Sequence, residues 1–326
     1  MIRSRILGTG AYLPERRLTN RDLEKMVETN DQWIVERTGI RERRLAADHE
    51  ATSDLATAAG RQALQAASLQ AADLELIIVA TATPDMLFPS TACLVQERLG
   101  AKQAFAFDLS AACTGFLYAL AVADQYIRAG TYRTILVIGA EVLSRMIDWT
   151  DRSTCILFGD GAGAVVLHAE PGERGILSTH LHSDGTLWDL IHMPGGGSRK
   201  PPSAETIAGR MNFLKMKGSE TFRVAVRALE EVAREALAAN RLTPADVALF
   251  VPHQANLRIL QAVAQRLEIP LERVVLNVER YGNTSAASVP IALDEAVRQG
   301  RVHDNDCLLL EAFGAGLTWG SALVRG

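Results

Sequence analysis

The chain is poor in features that would place it in several common classes. Of 326 residues only four are cysteine (Cys93, Cys113, Cys155, Cys307), and none forms a Cys-x-x-Cys pair. That density excludes a disulfide scaffold and points to free thiols in a reducing compartment. A basic excess is missing too: 34 Lys+Arg face 38 Asp+Glu for a net charge of −4, which argues against nucleic-acid binding. No apolar run approaches the roughly 20 residues of a membrane span. The short apolar stretch at the N-terminus breaks at Gly8 and Gly10, too soon for a signal peptide. The expectation is therefore a cytoplasmic protein without a membrane or nucleic-acid partner. What remains, 48% hydrophobic and 22% charged with 6% aromatics, is the composition of an α/β protein long enough to bury a large core.

The chain repeats itself. An amphipathic pattern over about 52–67 leads through Ala71-Ala72-Asp73 into the apolar run Leu76-Ile77-Ile78-Val79-Ala80. A second pattern over about 221–239 leads through Pro244-Ala245-Asp246 into Val247-Ala248-Leu249-Phe250-Val251. Aligning Ile77 with Leu249 gives an offset of 249 − 77 = 172, and aligning Ile135 with Leu308 gives 308 − 135 = 173. Between these anchors each half predicts a strand, a turn of small polar residues and a helix. The first is Phe105–Leu109, then Ser110-Ala111-Ala112-Cys113-Thr114-Gly115 and a helix closed by Gly130. The second is Val274–Val278, then Tyr281-Gly282-Asn283-Thr284-Ser285 and a helix closed by Gly300. The first of these helices is apolar nearly all round, as a buried element must be. Two similar α/β halves, residues 1–170 and 171–326, are thus predicted to pack face to face with largely parallel sheets and their central helices inside.

Reactive groups in such sheets lie beyond the carboxyl ends of strands, near helix starts. Cys113 starts one central helix, Asn283 precedes the other, and His253 follows the strand ending at Val251. Each has a plainer reading. Free cysteine is commonly a small core hydrophobe, a single histidine after a strand is commonly a core residue, and Asn283 suits a left-handed turn. The helix start favours a thiolate at Cys113, whereas Cys93, Cys155 and Cys307 lie within apolar segments. The glycine run over 158–167 precedes a strand and not a helix, so it reads as close backbone packing and not a nucleotide loop. His180-x-His182-x-Asp184 is one face of a strand, and no metal is expected there. The 193–202 loop reads as a surface excursion.

Taken together, several segments resemble the β-ketoacyl-acyl-carrier-protein synthase III family of the thiolase superfamily along the whole chain. They are Asp31-Gln32-Trp33-Ile34, Arg37-Thr38-Gly39-Ile40, Phe88-Pro89-Ser90, Ala111-Ala112-Cys113-Thr114-Gly115, Pro252-His253-Gln254-Ala255-Asn256, Gly282-Asn283-Thr284-Ser285 and Glu311-Ala312-Phe313-Gly314-Ala315-Gly316. The Cys-His-Asn set separates the chain from elongating condensing enzymes, which pair the cysteine with two histidines. Degradative thiolases carry a second cysteine in the final glycine loop, and this loop has none.

The resemblance implies a thiolase-like fold, a five-layered αβαβα sandwich. It implies an acyltransferase that joins an acyl-coenzyme A starter, acetyl by default, to malonyl-acyl-carrier protein at the start of fatty acid synthesis. Cys113, His253 and Asn283 would be catalytic and Gly314, Ala315 and Gly316 would form the oxyanion loop. Thr29, Trp33, Arg37, Arg152 and Asn256 would bind coenzyme A, Trp33 and Arg152 by sandwiching the adenine. Phe88 and Phe313 would border the acyl pocket, Phe88 from the partner subunit of a homodimer. Arg223, Arg258 and Arg266 would dock the acidic carrier protein. No cofactor is implied beyond the coenzyme A thioester, which is a substrate. Two other readings stay open: a related synthase using another donor, of alkylquinolone or polyketide type, and a non-catalytic carrier-binding subunit.

Overall fold

The computed structural model describes all residues 1–326. Its first half contains strands β1 (Ile2–Tyr12), β2 (Leu76–Ala80), β3 (Phe105–Leu109), β4 (Thr134–Glu141) and β5 (Gly161–Pro171), with helices α1 (Thr52–Ala66) and α2 (Gly115–Arg128). Its second half contains β6 (Gly175–Ser183), β7 (Leu249–Pro252), β8 (Cys307–Gly314) and β9 (Thr318–Arg325), with α3 (Gly218–Ala239), α4 (Leu257–Arg266) and α5 (Ser288–Arg298). The first sheet runs β1-β5-β4-β2-β3 and the second β7-β8-β9-β6.

Helices α2 and α5 lie between the sheets. Their apolar residues Phe116, Leu120, Val289 and Leu293 join Ile78, Val137, Val251 and Leu310 in one buried cluster that spans both halves. Helix α1 and the helix Thr91–Leu99 cover the outer face of the first sheet, and α3 with α4 covers that of the second. The result is five layers, helix, sheet, helix, sheet, helix. Burial on this scale follows from strands that are apolar or nearly so along their length: every residue of Leu76–Ala80 and of Thr134–Glu141, including the polar ends Thr134 and Glu141, is buried, as expected of strands covered on both faces.

Two expectations need correction. The sheets are mixed and not largely parallel: β2 pairs parallel with β3 and β4, and β7 with β8, while β1–β5, β4–β5, β8–β9 and β6–β9 are antiparallel. The parallel neighbours are joined through helices, whereas β8 returns to β9 through 315–317 and β1 and β6 join the sheets as edge strands beside strands distant in sequence. The second-half strand anticipated over Val274–Val278 also shrinks to one bridge between Phe250 and Val274, because Val278–Tyr281 turns helical at once.

The duplication is tighter in the structure than in the sequence. Leu76 pairs with Ile135 and Leu249 with Leu308, so both strands share the offset 249 − 76 = 308 − 135 = 173, and the value of 172 was one residue out of register. The same offset relates two backbone oddities, Ala112 (φ 46°) and Ser285 (φ 49°), since 285 − 112 = 173. Non-glycine residues seldom occupy the left-handed region, and here one sits at the start of each inner helix. Gly163 lets the two elements approach: a Cβ there would lie 2.6 Å from the backbone nitrogen of Ile291 in α5.

Candidate active site

Cys113 stands in the single helical turn Ala112–Thr114 ahead of α2. That turn is gripped from the other half of the molecule. Thr114 Oγ1 donates to Thr318 O at 3.1 Å, and Thr318 Oγ1 donates to Ala111 O at 3.2 Å. Gly314, at the end of β8, presses its backbone on the nucleophile: a Cβ there would lie 2.8 Å from the Cys113 nitrogen and 2.9 Å from its Cβ. The loop Gly314-Ala315-Gly316 then bends back into β9, with Gly316 at φ 141°, a conformation that suits glycine. A helix start favours a thiolate, yet burial outweighs it: the Cys113 thiol is pushed up to about 11, with the nearby Ser285 side chain pulling it down and the charge of Glu141 raising it further.

His253 follows β7 and is buried. Its N–H donates to Glu311 O of β8 at 2.7 Å. Its Nδ1 is buried without a partner, and burial pushes its pKa down to about 4, so the ring is neutral near pH 7. The neighbouring Gln254 holds this turn in place, and nothing in the sequence singled it out for that. Its Nε2 donates to Pro252 O and Val275 O, both at 2.9 Å, and its Oε1 accepts from the Asn277 N–H at 2.9 Å and the Val278 N–H at 3.2 Å.

Asn283 is buried and anchored at both ends of its backbone: its N–H donates to Leu157 O at 2.8 Å, and its O accepts from Gly159 N–H at 3.0 Å. Its Oδ1 accepts from the Ser285 N–H at 2.8 Å, which turns the Nδ2 donor the other way. Asn283 and Ser285 are thus linked, the turn that carries Ser285 packs against the turn that carries Cys113, and β8 reaches His253 through Glu311 and Cys113 through Gly314. Glu141, which the sequence gave no reason to select, ends β4 beside Ser285 and accepts from its hydroxyl at 3.2 Å.

The residues named for coenzyme A gather elsewhere on the surface. Helix Asp31–Thr38 carries Trp33 and Arg37, and the guanidinium groups of Arg37 and Arg152 both lie 4.8 Å from the Trp33 ring centroid. Arg152 also donates to Glu28 O at 2.9 Å, so a base enters between Trp33 and Arg152 only if Arg152 swings aside. Asn256 caps α4 and donates from Nδ2 to Arg37 O at 3.0 Å. Thr29 Oγ1 is buried without a partner.

The other candidates are spread out. Phe88 is 84% exposed and its neighbour Leu87 86%. Phe313 is buried in the outer cluster with Phe250 and Leu317. Arg223, Arg258 and Arg266 are exposed, and Arg266 already pairs with Glu230 at 2.8 Å. No group of three His, Cys, Asp or Glu could hold a metal. His180 and His182 instead both hydrogen-bond Glu235, at 3.2 and 2.6 Å.

A five-layered duplicated fold with a thiol at the start of one inner helix, and a neutral histidine and an asparagine brought from the other half, defines a thiolase-fold condensing enzyme. Two family models describing 3-oxoacyl-[acyl-carrier-protein] synthase III match residues 107–185 and, for its C-terminal part, 237–326. The β-ketoacyl-[acyl-carrier-protein] synthase III of Rhodospirillum centenum is 59% identical over 99% of both chains. The crystal structure of the Aquifex aeolicus 3-oxoacyl-[acyl-carrier-protein] synthase III superposes with a TM-score of 0.93 at 51% identity, covering 99% of this chain and all of that one. The priming β-ketosynthase of the R1128 polyketide pathway superposes at 0.92 with 39% identity, over 99% of this chain and 96% of that one. The chain belongs to the β-ketoacyl-acyl-carrier-protein synthase III family, whose members are acyl-transferring condensing enzymes.

Proposed function

We propose that this chain loads an acyl group from acyl-coenzyme A onto Cys113 and condenses it with malonyl-acyl-carrier protein, initiating fatty acid synthesis. The observation that carries the reading is the nucleophile's seat. Cys113 is pressed against the Gly314 backbone, beside the turn that carries Ser285, with a neutral His253 and an anchored Asn283 supplied by the other half.

The Cys113 sulfur attacks the thioester carbonyl, the bond to the coenzyme A sulfur breaks, the cysteine proton passes to the departing thiolate, and the acyl group stays on Cys113. Backbone N–H groups of Cys113 and the 314–316 loop face the developing oxyanion. Malonyl-acyl-carrier protein then loses carbon dioxide, and the electron pair of the broken bond passes into an enolate. His253, uncharged near neutral pH, and Asn283 through Nδ2 act as hydrogen-bond donors to that enolate and not as bases. The carbanion attacks the Cys113 thioester, and the cysteine leaves as a thiolate that regains a proton.

In this reading Trp33, Arg37, Arg152, Thr29 and Asn256 hold the nucleotide and pantetheine arm, and Arg223, Arg258 and Arg266 meet the acidic carrier protein. Residues 1–170 carry the nucleophile and 171–326 its polar partners. The exposed Met86-Leu87-Phe88 arm supports a homodimer in which Phe88 and Phe313 border the acyl pocket, working in the cytoplasm. The test is intact-protein mass after incubation with a panel of acyl-coenzyme A thioesters, wild type against Cys113→Ala. One acyl adduct on wild type alone supports the reading, and the best donor identifies the starter. No adduct with any donor overturns it.

A further inference from the structure

Arg43 lies on the short strand Glu42–Leu45 and is fully buried. Its hydrogen-bond partners are neutral oxygens. Nη1 donates to Leu18 O at 3.1 Å and to Asn20 Oδ1 at 2.9 Å, and Nη2 donates to Ile156 O at 2.7 Å. Burial pulls its pKa down only to about 10, so it is a cation at neutral pH. A buried cation without an anion is costly, and an apolar side chain of similar volume would fill the space without carrying a charge. It would not hold oxygens of two distant segments in one plane, as a guanidinium fork does.

Those oxygens lead to both ends of the site. Ile156 follows the one-turn helix Arg152–Cys155, whose first residue lies against the Trp33 ring. The next residue, Leu157, accepts the Asn283 N–H at 2.8 Å, and Gly159 donates its N–H to Asn283 O at 3.0 Å. Asn283 therefore hangs on the backbone that Arg43 holds. The stem of the arginine lies under the same turn: a Cβ at Gly282, next to Asn283, would stand 3.4 Å from Arg43 Cβ, and one at Gly159 would stand 3.1 Å from it. In the other direction Asn20, itself buried, passes the contact on. Its Nδ2 donates to Asp31 Oδ1 at 2.8 Å, and Asp31 opens the helix that carries Trp33 and Arg37.

We propose that Arg43 is a positioning residue for Asn283: by fixing Ile156 and packing under Gly159 and Gly282 it sets where the Asn283 amide points, and through Asn20 it keeps that placement in register with the helix Asp31–Thr38. Fully buried, Arg43 offers no surface to a substrate and acts only through the residues it holds. Cys113 is held by other contacts, from Thr114, Thr318 and Gly314, and Arg43 bonds none of these. Loss of Arg43 therefore reaches the half of the reaction that forms the enolate and spares the chemical step of acylation.

The proposal rests on the reading of Asn283 as a donor to the enolate, so Asn283→Ala is measured beside each Arg43 variant. Two single-turnover rates are followed: acylation of Cys113 at saturating acyl-coenzyme A, read by intact mass, and condensation of the preformed acyl-enzyme at saturating malonyl-acyl-carrier protein, read as carbon dioxide released. Asn283→Ala slows condensation about 10²-fold or more. Arg43→Met slows condensation at least about tenfold through the displaced amide and leaves acylation within about threefold of wild type. In the double variant Arg43→Met adds less than about threefold to Asn283→Ala, because both act on one group. Arg43→Lys, which keeps the charge and loses the planar fork, falls between wild type and Arg43→Met. A merely structural arginine would slow both half reactions alike and multiply with Asn283→Ala. Condensation by Arg43→Met within about threefold of wild type, acylation slowed as much as condensation, or full multiplication in the double variant overturns the proposal and leaves the role of Asn283 standing. Arg43→Lys supplies the same comparisons should Arg43→Met not fold. Condensation at the wild-type rate in Asn283→Ala refutes the enolate-donor reading, and the proposal with it.

Discussion

One methyl group at Gly314 probes the contact on which the nucleophile's geometry depends. The Cβ of Gly314→Ala would stand 2.8 Å from the Cys113 nitrogen, 2.9 Å from its Cβ and 3.2 Å from its Cα. Reaching ordinary contact at 3.4 Å requires the Cys113 amide to retreat by roughly 3.4 − 2.8 = 0.6 Å. These are backbone and Cβ atoms, fixed by the Thr114 and Thr318 bonds on either side, so no flexible side-chain end can yield instead. Gly314 lies outside the left-handed region, so alanine adds bulk without backbone strain. Overpacking of this kind costs about 1–3 kcal/mol of stability. Displacing an oxyanion donor costs a rate factor of about 10²–10³, and we expect Cys113 acylation to slow about 10²-fold, equivalent to about 2.7 kcal/mol. The assay is single-turnover acylation with the favoured acyl-coenzyme A, quenched and read by intact mass. Coenzyme A affinity and the thermal midpoint are measured in parallel, and Ala315→Gly serves as a loop control. Acylation of a folded Gly314→Ala within twofold of wild type would refute the reasoning.

Three further outcomes are expected. Trp33→Ala should raise KM for acyl-coenzyme A about 5- to 30-fold with kcat little changed, since stacking on such a ring contributes about 1–2 kcal/mol; steady-state kinetics decide, and a loss in kcat alone contradicts the placement. Arg43 is fully buried, without an ion pair, and its guanidinium serves Leu18 O, Asn20 Oδ1 and Ile156 O. Arg43→Met should lower stability by about 2 kcal/mol through the acceptors it orphans, read by urea denaturation. Glu311 is buried with neither carboxylate oxygen partnered, and burial raises its pKa well above the ordinary 4.5 of a glutamate. The folded state thus keeps a proton that the unfolded chain loses above about pH 4.5, so this residue takes stability away as pH rises through that window. Glu311→Gln should gain on wild type from pH 5 to pH 8 in denaturation midpoints, and a gap that stays constant over that range would contradict the assignment.

Local chemistry made much of this protein readable from its sequence. Continuous apolar runs such as Leu76–Ala80 can only be strands covered on both faces, and Gly130 and Gly300 take φ 71° and 68° just beyond the inner helices, where left-handed backbone ends a helix. The repeat showed two halves, because an equal spacing of strand and helix survives wherever the same layers must be buried. Cys113, His253 and Asn283 could be nominated because each follows a strand or opens a helix, and that is a local property. Sheet direction was not local: β1 and β6 lie beside strands more than a hundred positions away, and which neighbour a strand meets is set by the whole fold, so antiparallel β1, β5, β6 and β9 were missed. Contacts across the interface between the halves belonged wholly to the tertiary structure. Gly314 bears on Cys113 from 201 positions away, and Ser285 reaches Glu141 across 144, so no window of sequence contains either pair. Burial, too, is a sum over the whole fold. A helix start alone argues for an acidic thiol at Cys113, and only the assembled layers, by excluding water, set the thiol high, the imidazole of His253 low and the carboxyl of Glu141 near neutrality.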